Sequence, residues 1–118
     1  MLIPTTGRAV YLARGATDLR KSIDALATLV QVTFRLDPCA TALFVFCNRD
    51  RNKVKILEWD ETGFWLHYKR WEQGRIPWPQ AGHDPTQAIT GRQLQWLLDG
   101  LALDQPQAHR PLRDRRVG

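Results

Sequence analysis

Lys53-Val54-Lys55-Ile56-Leu57-Glu58-Trp59-Asp60-Glu61-Thr62-Gly63-Phe64-Trp65-Leu66-His67-Tyr68-Lys69-Arg70 is the stretch that decides the fold. Two runs rich in β-branched and aromatic residues flank Asp60-Glu61-Thr62-Gly63. Asp suits the opening of a type I turn, and Gly suits a left-handed closing position. The segment therefore predicts a hairpin with a bulged three-residue loop. With Asp60 opposite Phe64, Val54, Ile56, Phe64, Leu66 and Tyr68 share a core face. The other face then carries Lys53, Lys55, Leu57 and Trp59 on one strand, and Trp65, His67, Lys69 and Trp71 on the other. In this register Lys55 faces Lys69, which is unfavourable unless an anion lies between them. A slip of one residue would mix the faces.

Upstream, Leu43-Phe44-Val45-Phe46-Cys47 is apolar on both faces and reads as a central strand covered on two sides. Arg8 to Ala13 reads as a short strand ended by Gly15. Thr17 or Asp18 can cap a helix in which Leu19, Ile23, Leu26, Val30 and Phe34 form one apolar stripe, stopped by Asp37-Pro38. Downstream, Pro77-Trp78-Pro79 cannot lie in a helix or a central strand. Residues 80–89 read as a loop. Thr90-Gly91-Arg92-Gln93 has capping-box spacing, Leu94, Leu97, Leu98 and Leu101 follow on one face, and Gly100 marks the end. The order strand, helix, three strands, helix predicts an α+β fold. It should be a small single domain over residues 1–104, with helices packed on an antiparallel sheet of about four strands. Residues 105–118 read as a basic, disordered tail, with Arg110, Arg113, Arg115 and Arg116 against Asp114.

Composition excludes several classes. The chain has 118 residues, 43% hydrophobic and 25% charged, ordinary values for a globular protein. No apolar run is long enough to span a membrane and no signal sequence opens the chain, so no membrane partner is expected. Cys39 and Cys47 do not form a CxxC pair, which fits a reducing cytoplasm. The formal net charge is +5, which favours a polyanionic partner.

The basic residues fall in two clusters. Arg49, Arg51, Lys53 and Lys55 lie close together with Asp50 as the only acid among them, and Lys69, Arg70 and Arg75 form the second cluster. Interleaved with Trp59, Trp65 and Trp71 they suit nucleic acid, with ammonium and guanidinium groups on phosphates and rings on bases. The same tryptophans could instead be covered by a helix or a partner chain, with the cations simply solvated. No phosphate loop, HExxH helix or GxSxG elbow occurs. His67, His83 and His109 are far apart in sequence, so no zinc site and no cofactor are implied. Glu58 and Asp60 could hold Mg²⁺ for phosphodiester cleavage, but they flank a turn at the solvent edge, which disfavours a metal-dependent nuclease.

The ordered series Gly15-Ala16-Thr17-Asp18-Leu19-Arg20-Lys21, Leu43 to Phe46, Lys53 to Asp60, Gly63 to Arg70, Gly74-Arg75 and Trp78-Pro79 resembles a known family. These are the TnpB-type accessory proteins, the second open reading frame of the IS66 family of bacterial insertion sequences. The resemblance runs from about Val10 to Leu101. Glu58 stands where the family often has an aromatic, and neither residues 81–88 nor the Arg-rich tail match the pattern. The resemblance implies a non-catalytic accessory protein for DNA transposition, since a separate, larger protein carries the acidic catalytic triad. Its implied partners are insertion-sequence DNA, the transposase and the element's other accessory protein. A homo-oligomer is left open. Two readings then compete: a Lys/Arg/Trp hairpin that binds DNA, and an adaptor that docks protein without touching DNA.

Overall fold

β1 (Ala9–Ala13), α1 (Ile23–Thr28) and β2 (Ala42–Cys47) form a strand–helix–strand unit, and β1 and β2 pair in parallel, Ala9 with Ala42 and Leu12 with Val45. A helix packed on the sheet between two strands returns the chain in its original direction, and that makes this pair parallel. β3 (Lys53–Trp59) and β4 (Phe64–Arg70) continue from β2 as antiparallel neighbours. β5 (Thr86–Ile89) pairs antiparallel with the other side of β1, and α2 (Gly91–Leu98) follows it. The sheet has five strands in the order β4-β3-β2-β1-β5. The computed structural model describes residues 5–104, and the basic tail after Asp104 lies outside them.

The fold is α+β, as the sequence predicts, with two differences in the sheet. It is mixed rather than antiparallel, and it gains β5 from the stretch read as loop. β5 is short and only Ile89 in it is buried, so no apolar alternation announces it. Its bonds to the β1 backbone make it a strand, and Arg14 N–H donating to Pro85 C=O at 2.9 Å extends that contact.

Both faces of the sheet are covered, so β2 is buried along its whole length. On one face Phe44, Phe46 and Leu57 pack with Leu26 and Val30, and Leu19, Ile23, Phe34, Phe64 and Leu66 close the edges. On the other face Leu43, Val45, Val54 and Ile56 pack with Leu94, Leu97 and Leu98 of α2 and with Ile76 and Trp78. The Trp78 indole N–H donates to Ala13 C=O at 2.9 Å, which pins the Pro-Trp-Pro segment across the end of β1. Cys47 is buried, and that burial pushes its thiol up to about 12.

The predicted apolar stripe of the first helix is correct, but the helix begins at Ile23 rather than near Thr17. Asp18 spends its carboxylate on the Arg20 backbone N–H and guanidinium, and Lys21 N–H donates to Asp18 C=O. The chain therefore turns over residues 18–21 before Ser22 opens the helix. α1 continues as a π-helical turn, Leu29–Thr33, and Arg35 at φ 58° ends it ahead of Asp37-Pro38. The second helix has its predicted start and stop: Thr90 Oγ1 accepts from Gln93 N–H, Gln93 Oε1 accepts from Thr90 N–H, and Gly100 closes the end at φ 84°, but Leu101, expected on the apolar face, lies past the helix and is exposed.

The hairpin register differs by one residue from the expectation. Trp59 faces Phe64, Leu57 faces Leu66, Lys55 faces Tyr68 and Lys53 faces Arg70. The cause is the turn. Asp60 N–H donates to Gly63 C=O, and Asp60 Oδ1 accepts from Thr62 N–H, Thr62 Oγ1 and Gly63 N–H. The connection is thus the two residues Glu61-Thr62, and Glu61 rather than Gly63 takes the left-handed position, at φ 80°. Val54 and Ile56 consequently lie on the α2 side, whereas Leu66 and Phe64 lie on the α1 side.

Candidate nucleic-acid interface

Because β1 and β2 are parallel, both deliver their carboxyl ends to the same edge of the domain, where ligands of α/β sheets commonly bind. Thr17 N–H donates to Cys47 C=O at 2.8 Å and joins the two outgoing loops. Gly15 sits at φ 71°, and a Cβ there would stand 3.1 Å from the Ala81 methyl, so the close approach of the β1 loop to the segment around Pro79 and Ala81 needs glycine. Asn48 organises the β2–β3 turn. Its Oδ1 accepts from Asn52 N–H and Lys53 N–H, each at 3.0 Å, and its Nδ2 donates to Asn52 Oδ1 at 2.7 Å. Arg51 takes φ 57°, and its carbonyl accepts from Ile76 N–H at 2.8 Å. A turn held from so many sides presents Arg49 and Asp50 to solvent in a fixed arrangement.

Two cavities open beside this turn. The larger, about 820 Å³, runs between Thr17, Asp18, Leu19 and Arg20 on one side and Lys53, Lys55, Leu66 and Tyr68 on the other. The smaller, about 310 Å³, lies between Arg51 and the Trp78-Pro79-Gln80 segment. Ala16, Asn48 and Arg49 line both. Arg20, Arg49, Lys53 and Lys55 outnumber the acids of the larger groove, Asp18 and Asp50. Asp18 is itself engaged by the Arg20 guanidinium at 2.7 Å, which holds its carboxyl well below the usual carboxylate range. Among the described residues no carboxylate pairs with Arg49, Arg51, Lys53 or Arg75.

The shifted register redistributes the other predicted residues. Lys55 and Lys69 lie on opposite sides of the hairpin, so the repulsive pair expected from the sequence does not exist. Lys55 Nζ donates to Leu19 C=O at 2.6 Å and Lys21 C=O at 3.0 Å, satisfying carbonyls of the turn ahead of α1. Lys69 Nζ donates to Leu98 C=O at 2.6 Å, at the negative end of α2, and lies 4.6 Å from the centre of a Trp71 ring. The like-charged neighbours are instead Lys53 and Arg70, and Arg70 turns its guanidinium to Glu72 at 2.7 Å. Arg75 is exposed. The three tryptophans do not share a surface. Trp59 packs edge-on against Phe64, Trp65 is exposed at the far turn with its N–H on Asp60, and Trp71 packs against the core on the α2 side.

The opposite end of the sheet holds a polar cluster that sequence reasoning missed. Glu58, read as lying at the solvent edge, is 7% exposed. Its Oε2 is 2.9 Å from Arg8 Nη1, and its Oε1 is 2.8 Å from His67 Nε2. The signal was available: Glu58 continues the buried side of β3 after Val54 and Ile56, and a carboxylate there needs a cation. Arg8, far away in sequence, could be identified only once β1 was placed in the sheet. Among the described residues no three His, Cys, Asp or Glu side chains gather as a metal site, and no helix is long and apolar enough to cross a membrane.

Two proteins of Sinorhizobium fredii (strain NBRC 101917 / NGR234) are similar to this chain. One, "Uncharacterized protein y4hO", is 38% identical over 98 residues, covering 83% of this chain and 84% of its own length. Another, "Uncharacterized protein y4jC", is 28% identical over 79 residues, covering 67% of this chain and 68% of its own. No solved structure matches the chain. The family described as "IS66 Orf2 like protein" matches residues 8–108, from the Arg8 of the Glu58 cluster through both grooves and α2, and the chain belongs to that family.

Proposed function

We propose that the protein is a DNA-binding accessory factor for transposition of an IS66-type insertion sequence, with the chemistry of strand transfer carried out by another protein. Family membership ties the chain to that insertion-sequence machinery. DNA is favoured as the direct partner by one observation: four cations, Arg49, Arg51, Lys53 and Arg75, stand around the sheet end without a carboxylate partner among the described residues. Lys55, Lys69 and Arg70 have structural partners and contribute field rather than free hydrogen bonds. Phosphates are the natural counter-ions for such a rim. The transposase and the element's other accessory protein would join the same complex, in the cytoplasm where the element's DNA lies.

A second reading has an observation of its own. Trp65 is 57% exposed at the far turn and could anchor a protein partner. Salt separates the two. Replacing Arg49, Arg51 and Lys53 together by Ala should lower affinity for terminal-repeat DNA and reduce the slope of log K against log salt by up to roughly two to three units. Unchanged DNA binding and slope in that triple variant, with Trp65→Ala abolishing transposase capture, would favour the adaptor.

A further inference from the structure

We propose that the groove at the carboxyl ends of β1 and β2 takes single-stranded rather than duplex DNA. The inference rests on the groove being the DNA site, as proposed above, and concerns which form of DNA it fits. Tyr68 is 55% exposed, and it lines the larger cavity beside Leu66, Lys53 and Lys55. Lys55 Nζ lies 6.0 Å from the centre of the Tyr68 ring while its protons go to the Leu19 and Lys21 carbonyls. An aromatic ring presented in a basic groove can stack on a base, but a duplex keeps its base faces inside the helical stack. Only a single or splayed strand brings a base face to Tyr68 while its phosphates run past Lys53 and Arg49.

The helices point the same way. Duplex sequence is commonly read by a helix entering the major groove with polar and basic side chains. α1, Ile-Asp-Ala-Leu-Ala-Thr, has no Lys or Arg. α2 has Arg92 alone, and its guanidinium lies over the Trp96 ring at 5.4 Å. Three of the free cations, Arg49, Arg51 and Lys53, sit instead on the turn and strand end that border the cavities. The two cavities share Ala16, Asn48 and Arg49 in their linings, so they lie side by side across the end of the sheet, one reaching to Tyr68 and the other to Pro79.

The test uses the full chain and fluorescence anisotropy of a labelled oligonucleotide of about 12 nucleotides, within the site sizes of single-strand grooves. The same sequence is offered single-stranded and as a blunt duplex. The single strand should bind at least about tenfold more tightly. Tyr68→Ala should weaken single-strand binding by about tenfold, in the range of one lost stack, while Tyr68→Phe keeps it. Tyr68 is exposed, so its truncation leaves no core cavity, and an unchanged melting curve checks that the variant folds. Duplex binding equal to or tighter than single-strand binding, or a Tyr68→Ala variant that binds the single strand normally, would overturn this inference and leave the DNA reading intact. Binding of neither form would instead overturn the groove as a DNA site.

Discussion

The two ends of the sheet use the same turn-building device and come out with opposite electrostatics. At the β3–β4 end, Asp60 accepts three turn donors and Glu61 takes the left-handed position. At the β2–β3 end, Asn48 binds the turn and Arg51 takes the left-handed position. Around Asp60 the polar groups are engaged internally, Glu58 by Arg8 and by the His67 ring, and the Asp60 carboxylate by the Trp65 indole N–H. Around Asn48, a neutral side chain does the organising, and Arg49, Arg51 and Lys53 are left without carboxylates among the described residues. A neutral organiser keeps the rim's positive field unspent, whereas an acidic organiser cancels it. The two ends therefore differ both in the number of their basic residues and in what those residues face.

The largest expected effect breaks the matched end. Glu58→Ala leaves the partly buried Arg8 without its counter-charge and should cost about 3 kcal/mol, measured by urea unfolding. Whatever fraction remains folded should bind DNA normally, because the cluster lies at the other end of the strands. A loss under about 1 kcal/mol would mean that Glu58 is solvated. At the basic end, Asn48→Ala removes acceptors from Asn52 N–H and Lys53 N–H and should cost about 2 kcal/mol. It should also weaken DNA binding at a temperature where the variant is folded, since Arg49 and Lys53 lose their fixed arrangement.

A smaller pair of substitutions tests the shared device. A non-glycine residue in the left-handed region costs about 1–2 kcal/mol, and glycine's extra backbone entropy returns about 0.5–1. Glu61→Gly and Arg51→Gly should therefore each stabilise by roughly 0.5–1 kcal/mol. Only Arg51→Gly should reduce DNA affinity and the salt slope, by about one phosphate contact. Equal effects of both on DNA would dissolve the distinction between the two ends.

Much of this architecture is legible in the chain. The two-sided apolarity of β2, the Leu26–Val30 stripe and the Thr90–Gln93 capping box depend on local chemistry, and each lies where its pattern puts it. What local chemistry does not carry is which residue of the β3–β4 turn takes positive φ. Gly63 is the better candidate by propensity, yet Glu61 occupies that position, and the resulting shift sends Lys55 and Lys69 to opposite sides. The clustering of Arg49, Arg51 and Lys53 survives the error because those residues lie on one turn and do not depend on hairpin register. Tyr68, assigned to the core by the wrong register, becomes a groove residue in the right one. The Arg8–Glu58 pair, β5 and the side-by-side placement of the cavities all need strand order, which no local pattern contains.

The smallest expected effect is a pH dependence at the acid-organised turn. The Asp60 carboxyl lies below its ordinary value near 3.8, chiefly because the Trp65 indole N–H donates to it, with further bonds from the Thr62 backbone and hydroxyl. A carboxyl whose folded value is depressed binds protons less readily than in the unfolded chain, so it favours folding only where the unfolded chain would also be ionised. Its contribution is therefore fully present above about pH 5 and is lost as pH falls through 4 and below. Asp60→Asn keeps an acceptor for the turn but cannot titrate, so its stability-against-pH curve should be flatter than that of the unaltered chain below pH 4. Asn48→Asp at the other end should do the reverse, adding an acid-sensitive component and lowering DNA affinity at neutral pH by placing an anion beside Arg49 and Lys53. If Asn48→Asp binds DNA as well as the unaltered chain does, the neutrality of that organiser has no bearing on the rim's field, and the contrast between the two ends is one of position alone.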